Sequence, residues 1–541
     1  RRRPLEFLRH TLLVGRRRLA QRNSSGLLLL AMDDWKAAFG EEWDAVVLGT
    51  GMKECLLSGL LSVAGKKVLH LDRNDYYGGA SASLDINQLF EKFQAGAPPS
   101  EAELGKLRDW AVDMVPKFIM AGGQLVKVLI HTKTANYMEF KAVDGSYCYR
   151  APKARSSGEF GRVHKVPLTP KEALSSSMLS MLEKGRMGKF TMWVASIDCG
   201  KPEGFFEDGS FRDMPYWTRV GMTGRKKMPL TQWNGDQFFK DWGLEAGTIE
   251  FLTHVCALYR DESWRSAPAL EVVSRMQLYL ESRTRFAGMT SPYLYPLFGL
   301  GELPQAFARL AAVHGGTYML NRDLDGSPVF GPNDLSLEYA EDGTVAGVVN
   351  HDGEEAVVAR TKTVVGDPSY FAGKTKPTGS VVRAIALLDA PLAEMEKDGA
   401  SSCQVIFPAA QCGRCNDLYL FLCSNAHKVA PAGKYVAFLS TKVEGPTQGM
   451  SNEQIAHREL AAGLALFTRP GAPMPLHLFY DAYPTYAPLT NGTKDRVFIS
   501  ESFDATSHFE TAINDVLDMY QRITGETLNL DALAAAASAE Q

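Results

Sequence analysis

Gly49, Gly51 and Asp72 are the residues of this chain best spaced for cofactor chemistry. Ala45-Val-Val-Leu-Gly-Thr-Gly-Met-Lys-Glu54 has the run of a strand, a tight turn and a helix start, and Lys67-Val-Leu-His-Leu-Asp72 follows as a second strand ending on an acid. In a G-x-G-x-x-G turn the first glycine makes the turn, the second lets backbone approach a pyrophosphate, and the third lets helix and strand pack closely. The later acid reads a ribose hydroxyl. Gly49 and Gly51 meet the first two demands. Glu54 stands where the third glycine belongs, adding bulk and a negative charge near the helix N-terminus that would hold an anion. The spacing therefore predicts the dinucleotide-binding frame, while Glu54 predicts that a dinucleotide binds it poorly.

No other constellation supplies catalysis. The chain lacks H-E-x-x-H, G-x-S-x-G and a G-x-x-x-x-G-K-[ST] phosphate loop. Cys412-Gly-Arg-Cys415 resembles half of a redox or metal site, but no second cysteine or histidine pair stands at ligand spacing, so two bystander thiols are the better reading and no metal is expected. The eleven histidines are dispersed.

The elements that must position these residues begin with the strand and helix just described, the helix running from Cys55 to Ala64 with Gly65 as its stop. Tyr76-Tyr-Gly-Gly-Ala-Ser-Ala-Ser83 is expected to be an exposed loop, 115–130 a helix, and 137–150 a hairpin turning at Asp144-Gly145. Helical patterning starts at Thr169-Pro-Lys-Glu172, where threonine caps, proline takes the first helical position and glutamate closes a capping box. Stripes follow around Phe251, Leu252, Val255 and Leu258, and around Val273, Met276 and Leu280. These place an all-helical domain at 167–290, inserted into a discontinuous α/β domain at 33–166 and 291–527, with a tail at 528–541. Strands are expected at 317–320, 335–339, 345–349, 357–365, 381–388, 404–407, 418–422 and 435–440, assembled into a mixed sheet.

The most telling surface lies at 300–320. Pro304 near the start and Gly315-Gly316 beyond the end bound a helix on which Leu303, Phe307, Leu310 and Ala311 face one way and Glu302, Gln305 and Arg309 the other. In the following strand, alternation separates Thr317 and Met319 from Tyr318 and Leu320. An isolated polar stripe is usually a solvated face. A polar stripe meeting an exposed methionine looks more like a protein-binding surface, because Met and Arg are enriched there.

The helical insert is rich in Met178, Met181, Met187, Phe190, Met192, Trp193, Phe251 and Met276. Such residues ordinarily form core, and they also suit an adaptable pocket for an apolar guest. Between 211 and 233, aromatic and basic residues interleave, a pattern of a surface loop or of contact with anionic membrane.

The bulk numbers narrow the class. A chain of 541 residues, 45% hydrophobic, is sized for two domains, and 58 basic against 62 acidic residues argue against nucleic acid as the main partner. Eight scattered cysteines fit a reducing compartment better than a disulfide scaffold. No apolar run approaches the roughly 18 to 20 residues that span a bilayer. Residues 1–31 are arginine-rich, carry one acid, Glu6, and precede Met32-Asp-Asp, which looks like an initiator. They are expected to lie outside the domains, as upstream sequence or an organellar transit peptide.

Val47-Leu-Gly-Thr-Gly-Met-Lys-Glu-Cys55, Gly65-Lys-Lys-Val-Leu-His-Leu-Asp-Arg-Asn74, Tyr76-Tyr-Gly-Gly79, the run Ser291 to Gln305 and Ser502-Phe-Asp-Ala-Thr-Ser-His-Phe-Glu-Thr511 together resemble the Rab GDP dissociation inhibitors, from about residue 41 to 527. The resemblance implies an α/β fold whose large, Rossmann-type domain is like that of FAD-dependent oxidoreductases, with a smaller all-helical inserted domain. It implies a cytosolic, cofactor-free, non-catalytic monomer that binds one GDP-bound, prenylated Rab GTPase, slows GDP release, and extracts and returns the GTPase at membranes in vesicular transport. The family's platform carries over to Tyr77, Glu302, Gln305, Arg309, Thr317 and Met319. Its mobile loop, implicated in membrane recognition, carries over to a segment whose ends are Arg285 and Tyr293. Its geranylgeranyl pocket carries over to Met178, Leu182, Phe190, Val194, Phe251 and Val255. The loop before Ser291 is longer than usual, and the stretches near 153–163 and 205–235 are expanded. Two rivals remain: a Rab escort protein, which shares the platform but tends to be longer, and a flavin oxidoreductase of the amine-oxidase kind, against which Glu54 argues.

Overall fold

Five sheets meet a set of helices among the residues that the computed structural model describes, 36–37, 39–152, 160–167, 172, 180–199, 230–320, 330–351, 356–528 and 530. A five-stranded parallel sheet runs Thr317–Leu320, Val68–Asp72, Ala45–Leu48, Val364–Gly366, Val497–Ile499, drawing neighbours from distant parts of the chain. Its central strands are buried at every residue because both faces are covered, as parallel strands require.

On one face lies the helix Met52–Val63, buried from Met52 to Ser62 and held between the sheet and the helices Glu302–Val313 and Glu510–Thr524. Gly59 sets that approach. A Cβ there would meet Phe307 Cδ1 at 3.2 Å and Leu310 Cδ2 at 3.4 Å. The other face carries a second core around Leu48, Leu69, Leu71 and Val348, closed by the sheet Glu42–Trp43, Val357–Thr361, Val345–Asn350, Leu335–Tyr339.

A seven-stranded sheet follows the order Pro475–Pro488, Thr375–Leu388, Tyr435–Lys442, Leu418–Ser424, Ser402–Phe407, Gly145–Arg150, Arg162–Lys165. Only the pair Ser402–Phe407 and Gly145–Arg150 is parallel, which makes this the expected mixed sheet. Among the described residues of 180–199 and 230–290 the regular elements are helices: Met181–Ala195, Gly235–Trp242, Ala246–Glu250 continuing into a π-helix Phe251–Cys256, a 3₁₀ turn Glu262–Arg265, and Ala269–Ser282. Their aromatic interior joins the main core without a break.

Four local expectations are corrected. The stretch 115–130 is not one helix: Pro116 and Gly122-Gly123 interrupt it, leaving the strand Ile119–Met120 and the helix Gln124–His131. The stretch 137–150 is not a hairpin, since Phe140–Ala142 pairs with Tyr293–Pro296 while Gly145–Arg150 joins the large sheet. Asp144 sits between them as an anchor, its carboxylate accepting from Lys141 Nζ at 2.9 Å and from Ser401 N at 2.9 Å. The run 357–365 splits into strands of different sheets, where Thr361 Oγ1 accepts from Thr363 N and turns the chain. The loop 76–83 is exposed only at Tyr76 and Ala80. Gly78, Ser81 and Ala82 are buried, and Gly78, at φ +104, donates its N–H to Thr50 O. The helix start at 169–172, apart from Glu172, the basic-aromatic stretch apart from Leu230 to Trp233, the tail apart from Leu528 and Leu530, and residues 1–31 lie outside the described residues.

Candidate functional site

At the strand–turn–helix, the groups that would grip a dinucleotide grip the protein instead. Gly49 turns at φ +96, with the Tyr370 ring 3.3 Å from where its Cβ would be, and Gly49 O accepts from His70 Nε2 at 2.7 Å. Glu54 is buried, folds back over Gly51, and accepts a hydrogen bond from Ser500 Oγ through Oε1 at 2.6 Å. Burial, then the nearby Asp367 charge, pushes its carboxyl up to about 7. Burial holds His70 down at about 4.

Asp72 is equally committed. Its Oδ2 accepts from Thr50 N and from Thr50 Oγ1, the latter at 2.6 Å, and its Oδ1 accepts from Asn74 N and Nδ2 at 2.7 and 2.9 Å. A diphosphate would meet a carboxylate where it needs bare backbone, and a ribose would find its acid fully engaged. The residues present do not fit a dinucleotide. Gly49, Gly51 and Glu54 therefore form a structural turn, and the close approach of this helix at Gly59 is to the helix Glu302–Val313 and not to the strand.

The second candidate is the surface of Glu302–Val313. Leu303, Phe307, Leu310 and Ala311 are buried, each large side chain stabilising the helix by about 1.5–3 kcal/mol of apolar burial. Glu302 and Arg309 are exposed and Gln305 is half-buried, as the period required. Arg309 lies over the ring of Tyr137, 4.4 Å from its centroid, and Tyr137 is itself exposed. Tyr137 was invisible to sequence reasoning, because a lone tyrosine in a short turn carries no periodic signal.

Thr317 to Leu320 forms the edge of the parallel sheet, all four residues half-buried. Tyr318 turns toward the helices: its ring stacks on His70 at 4.4 Å and meets Tyr77 at 5.9 Å, and its hydroxyl donates to Ser58 Oγ at 3.2 Å. Met319 packs against the core on the opposite face. The structure thus gathers Tyr77 and Tyr318 in one cluster, and Glu302, Gln305 and Arg309 on one helix, while Met319 belongs to the sheet's far side. Met319 is not the fully exposed methionine expected, because the second core reaches the edge strand. Burial pushes Tyr77 up to about 12, so it is a neutral phenol near neutral pH.

Of the apolar candidates, Met178 lies outside the described residues. Phe190, Val194, Phe251 and Val255 are buried, with Phe190 among Trp193, Phe238, Phe239 and Trp242 at ring-centroid distances of 5.3 to 6.1 Å. Leu182 does not join them: it is 79% exposed, beside Met181 at 70%. The helix begins at Met181 with Ser180 as its cap, which leaves Met181 and Leu182 in an exposed first turn. Arg285 is exposed, but Tyr293 is fully buried against Phe118 and Tyr279, so it anchors its loop and offers no surface contact.

The helices are tied to the large sheet by ion pairs. His254 Nδ1 pairs with Asp417 at 2.8 Å, both buried, and Arg150 donates to Glu250 at 2.7 Å. Among the described residues no helix is long and apolar enough to cross a membrane.

The family model for GDP dissociation inhibitors matches residues 39–535. Guanosine nucleotide diphosphate dissociation inhibitor 1 of Arabidopsis thaliana is 45% identical over 502 residues, 93% of this chain and 99% of that protein. The crystal structure of a Rab GDI from Plasmodium falciparum superposes with a TM-score of 0.75 at 35% identity, covering 91% of this chain and all of that one. An oxidoreductase from Methanosarcina mazei shares the fold at a TM-score of 0.52 and 14% identity, covering 89% of this chain.

Proposed function

The chain belongs to the GDP dissociation inhibitor family, a regulatory and non-enzymatic one, and from that premise we propose that it is a carrier of prenylated Rab GTPases in their GDP state. The observation that carries this reading is the polar stripe of exposed Glu302, half-buried Gln305 and exposed Arg309, held on a helix whose other side is locked into the core.

In this account the stripe, with Tyr77 and the edge strand Thr317–Leu320, grips switch regions that GTP would reorder, so complementarity is lost in the GTP state. A partner that prefers the GDP state must also stabilise it, and slowed GDP release follows from that linkage. The helical part, a domain inserted at about 167–290, shelters the geranylgeranyl group. Each buried methylene contributes about 0.8 kcal/mol, so a twenty-carbon chain competes with membrane. Phe190, Val194, Phe251 and Val255 must part to admit it, and exposed Met181 and Leu182 mark the entrance. The protein works as a cytosolic monomer, one GTPase per chain, touching membranes transiently through the loop that begins near Arg285.

The test is extraction. Liposomes bearing GDP-loaded, geranylgeranylated Rab are mixed with the purified chain and sedimented. The account expects Rab in the supernatant as a one-to-one complex; Rab left wholly on the liposomes contradicts it.

A further inference from the structure

The loop that leads from the strand Tyr293–Pro296 into the helix Glu302–Val313 holds a residue in a costly conformation. Among the described residues, Gln94, Lys133, Leu258, Phe298, Lys428 and Arg496 are the non-glycines at positive φ. Four of them carry polar side chains, and Leu258 is buried, so packing offsets its strain. Phe298 differs. It stands at φ +69 with its ring 56% exposed. The left-handed region is unfavourable for a bulky side chain, and a ring left largely in water contributes little to the fold.

The surroundings hold it there. Leu297 N donates to Glu139 O at 2.9 Å, Phe298 N to His427 O at 3.0 Å, Leu300 N to the buried Asp113 Oδ1 at 2.9 Å, and Gly301 N to Ser83 Oγ at 2.8 Å. Gly299, at φ +91, leaves no room for a side chain, since a Cβ would lie 2.9 Å from both Ser83 Oγ and Asp113 Oδ1. An exposed ring on a loop fixed in this way is pre-organised for a contact.

Its place in the fold relates that contact to the polar stripe. Glu302 follows four residues later, and the neighbouring segment 137–139 meets the Phe298 loop through Glu139 and Arg309 through Tyr137. Resting on the carrier reading above, we infer that Phe298 is an apolar anchor at the border of the Rab platform, seated in a pocket of the folded, GDP-bound GTPase domain. A rigid ring gains most against a partner surface of fixed shape, whereas a flexible prenylated tail moulds itself equally well around an unstrained side chain.

Phe298→Gly removes the ring and adopts the left-handed conformation without strain, and Phe298→Tyr keeps the ring. Affinity for GDP-loaded, geranylgeranylated Rab is measured by surface plasmon resonance for the full chain and both variants, beside affinity for a geranylgeranylated peptide of the Rab tail, and each chain is unfolded in urea. Phe298→Gly is expected to weaken Rab by about ten- to thirtyfold, the scale of an aromatic interface anchor, while it binds the tail peptide as the parent does and unfolds at no lower urea concentration. Phe298→Tyr should bind Rab like the parent. A parent chain that binds no Rab overturns the carrier reading and this one with it. Rab binding untouched by Phe298→Gly, a loss shared equally by the tail peptide, or a loss accompanied by a lowered unfolding midpoint overturns the anchor and leaves the carrier standing.

Discussion

Ser500 donates its hydroxyl to Glu54 at 2.6 Å, closing the dinucleotide turn with a residue 446 positions further along the chain. The hydrogen bond joins the helix Met52–Val63 to the end of the strand Val497–Ile499 and leaves a carboxyl in the interior.

Glu54 makes stability depend on pH. Its carboxyl, raised to about 7 by burial and Asp367, has an ordinary value near 4.5 when unfolded. A raised acid contributes stability below the unfolded value and loses it as pH climbs through the folded one. Glu54→Gln keeps the acceptor for Ser500 without the charge. Urea unfolding should show the variant more stable than the parent above about pH 7, by on the order of 2–3 kcal/mol, with the charge-derived advantage gone below about pH 4.5.

Arg309 is predicted to be a binding residue and not a stability residue. Arg309→Ala should weaken binding of GDP-loaded Rab by roughly 30-fold, the scale of an interface arginine, while leaving the unfolding midpoint within the small range of exposed substitutions. Tyr137→Ala removes only the ring that steadies the guanidinium and should cost less, about 0.5–1 kcal/mol of binding. Surface plasmon resonance on both variants gives the order.

Gly59→Val tests whether the frame positions that surface. The added side chain must push Phe307 and Leu310, already within 3.2 and 3.4 Å of a single Cβ. Overpacking of this kind costs about 1–3 kcal/mol, and calorimetry should show the loss. Rab affinity should fall too, because the displaced helix carries Glu302 and Arg309.

His254→Gln tests the tie between helices and sheet. Burial opposes charge on His254, but Asp417 and Glu262 outweigh it and raise the imidazole to about 10. Its contribution is complete below about pH 6.5 and lost as pH rises through 10. Breaking the pair leaves Asp417 buried and unpaired, a cost of about 3–5 kcal/mol at neutral pH. Denaturant unfolding at pH 7 and at pH 10 should show the penalty shrinking at the higher pH.

Where a residue's partner was a neighbour in sequence, the sequence revealed its role. The helix Glu302–Val313 and its two faces followed from a 3.6-residue period and flanking glycines, and the strand ends of the parallel sheet followed from apolar runs. The turn's lack of fit for a dinucleotide was legible in Glu54 alone. What stayed hidden depended on distant chain: Ser500 above Glu54, Tyr137 beneath Arg309, and the placing of 140–142 and 145–150 in separate sheets. Met319 shows the same limit, since alternation gives its side of the strand but not the core waiting there. Leu182 failed for a local reason, because the helix starts at Met181 behind the cap Ser180 and leaves Leu182 in its exposed first turn.

Nucleotide discrimination separates a carrier of inactive Rab from a protein that binds Rab in any state. The affinity of the purified chain is measured for geranylgeranylated Rab loaded with GDP and, in parallel, with a non-hydrolysable GTP analogue. A preference for the GDP form on the order of 100-fold is expected. Equal affinity for the two forms would contradict it.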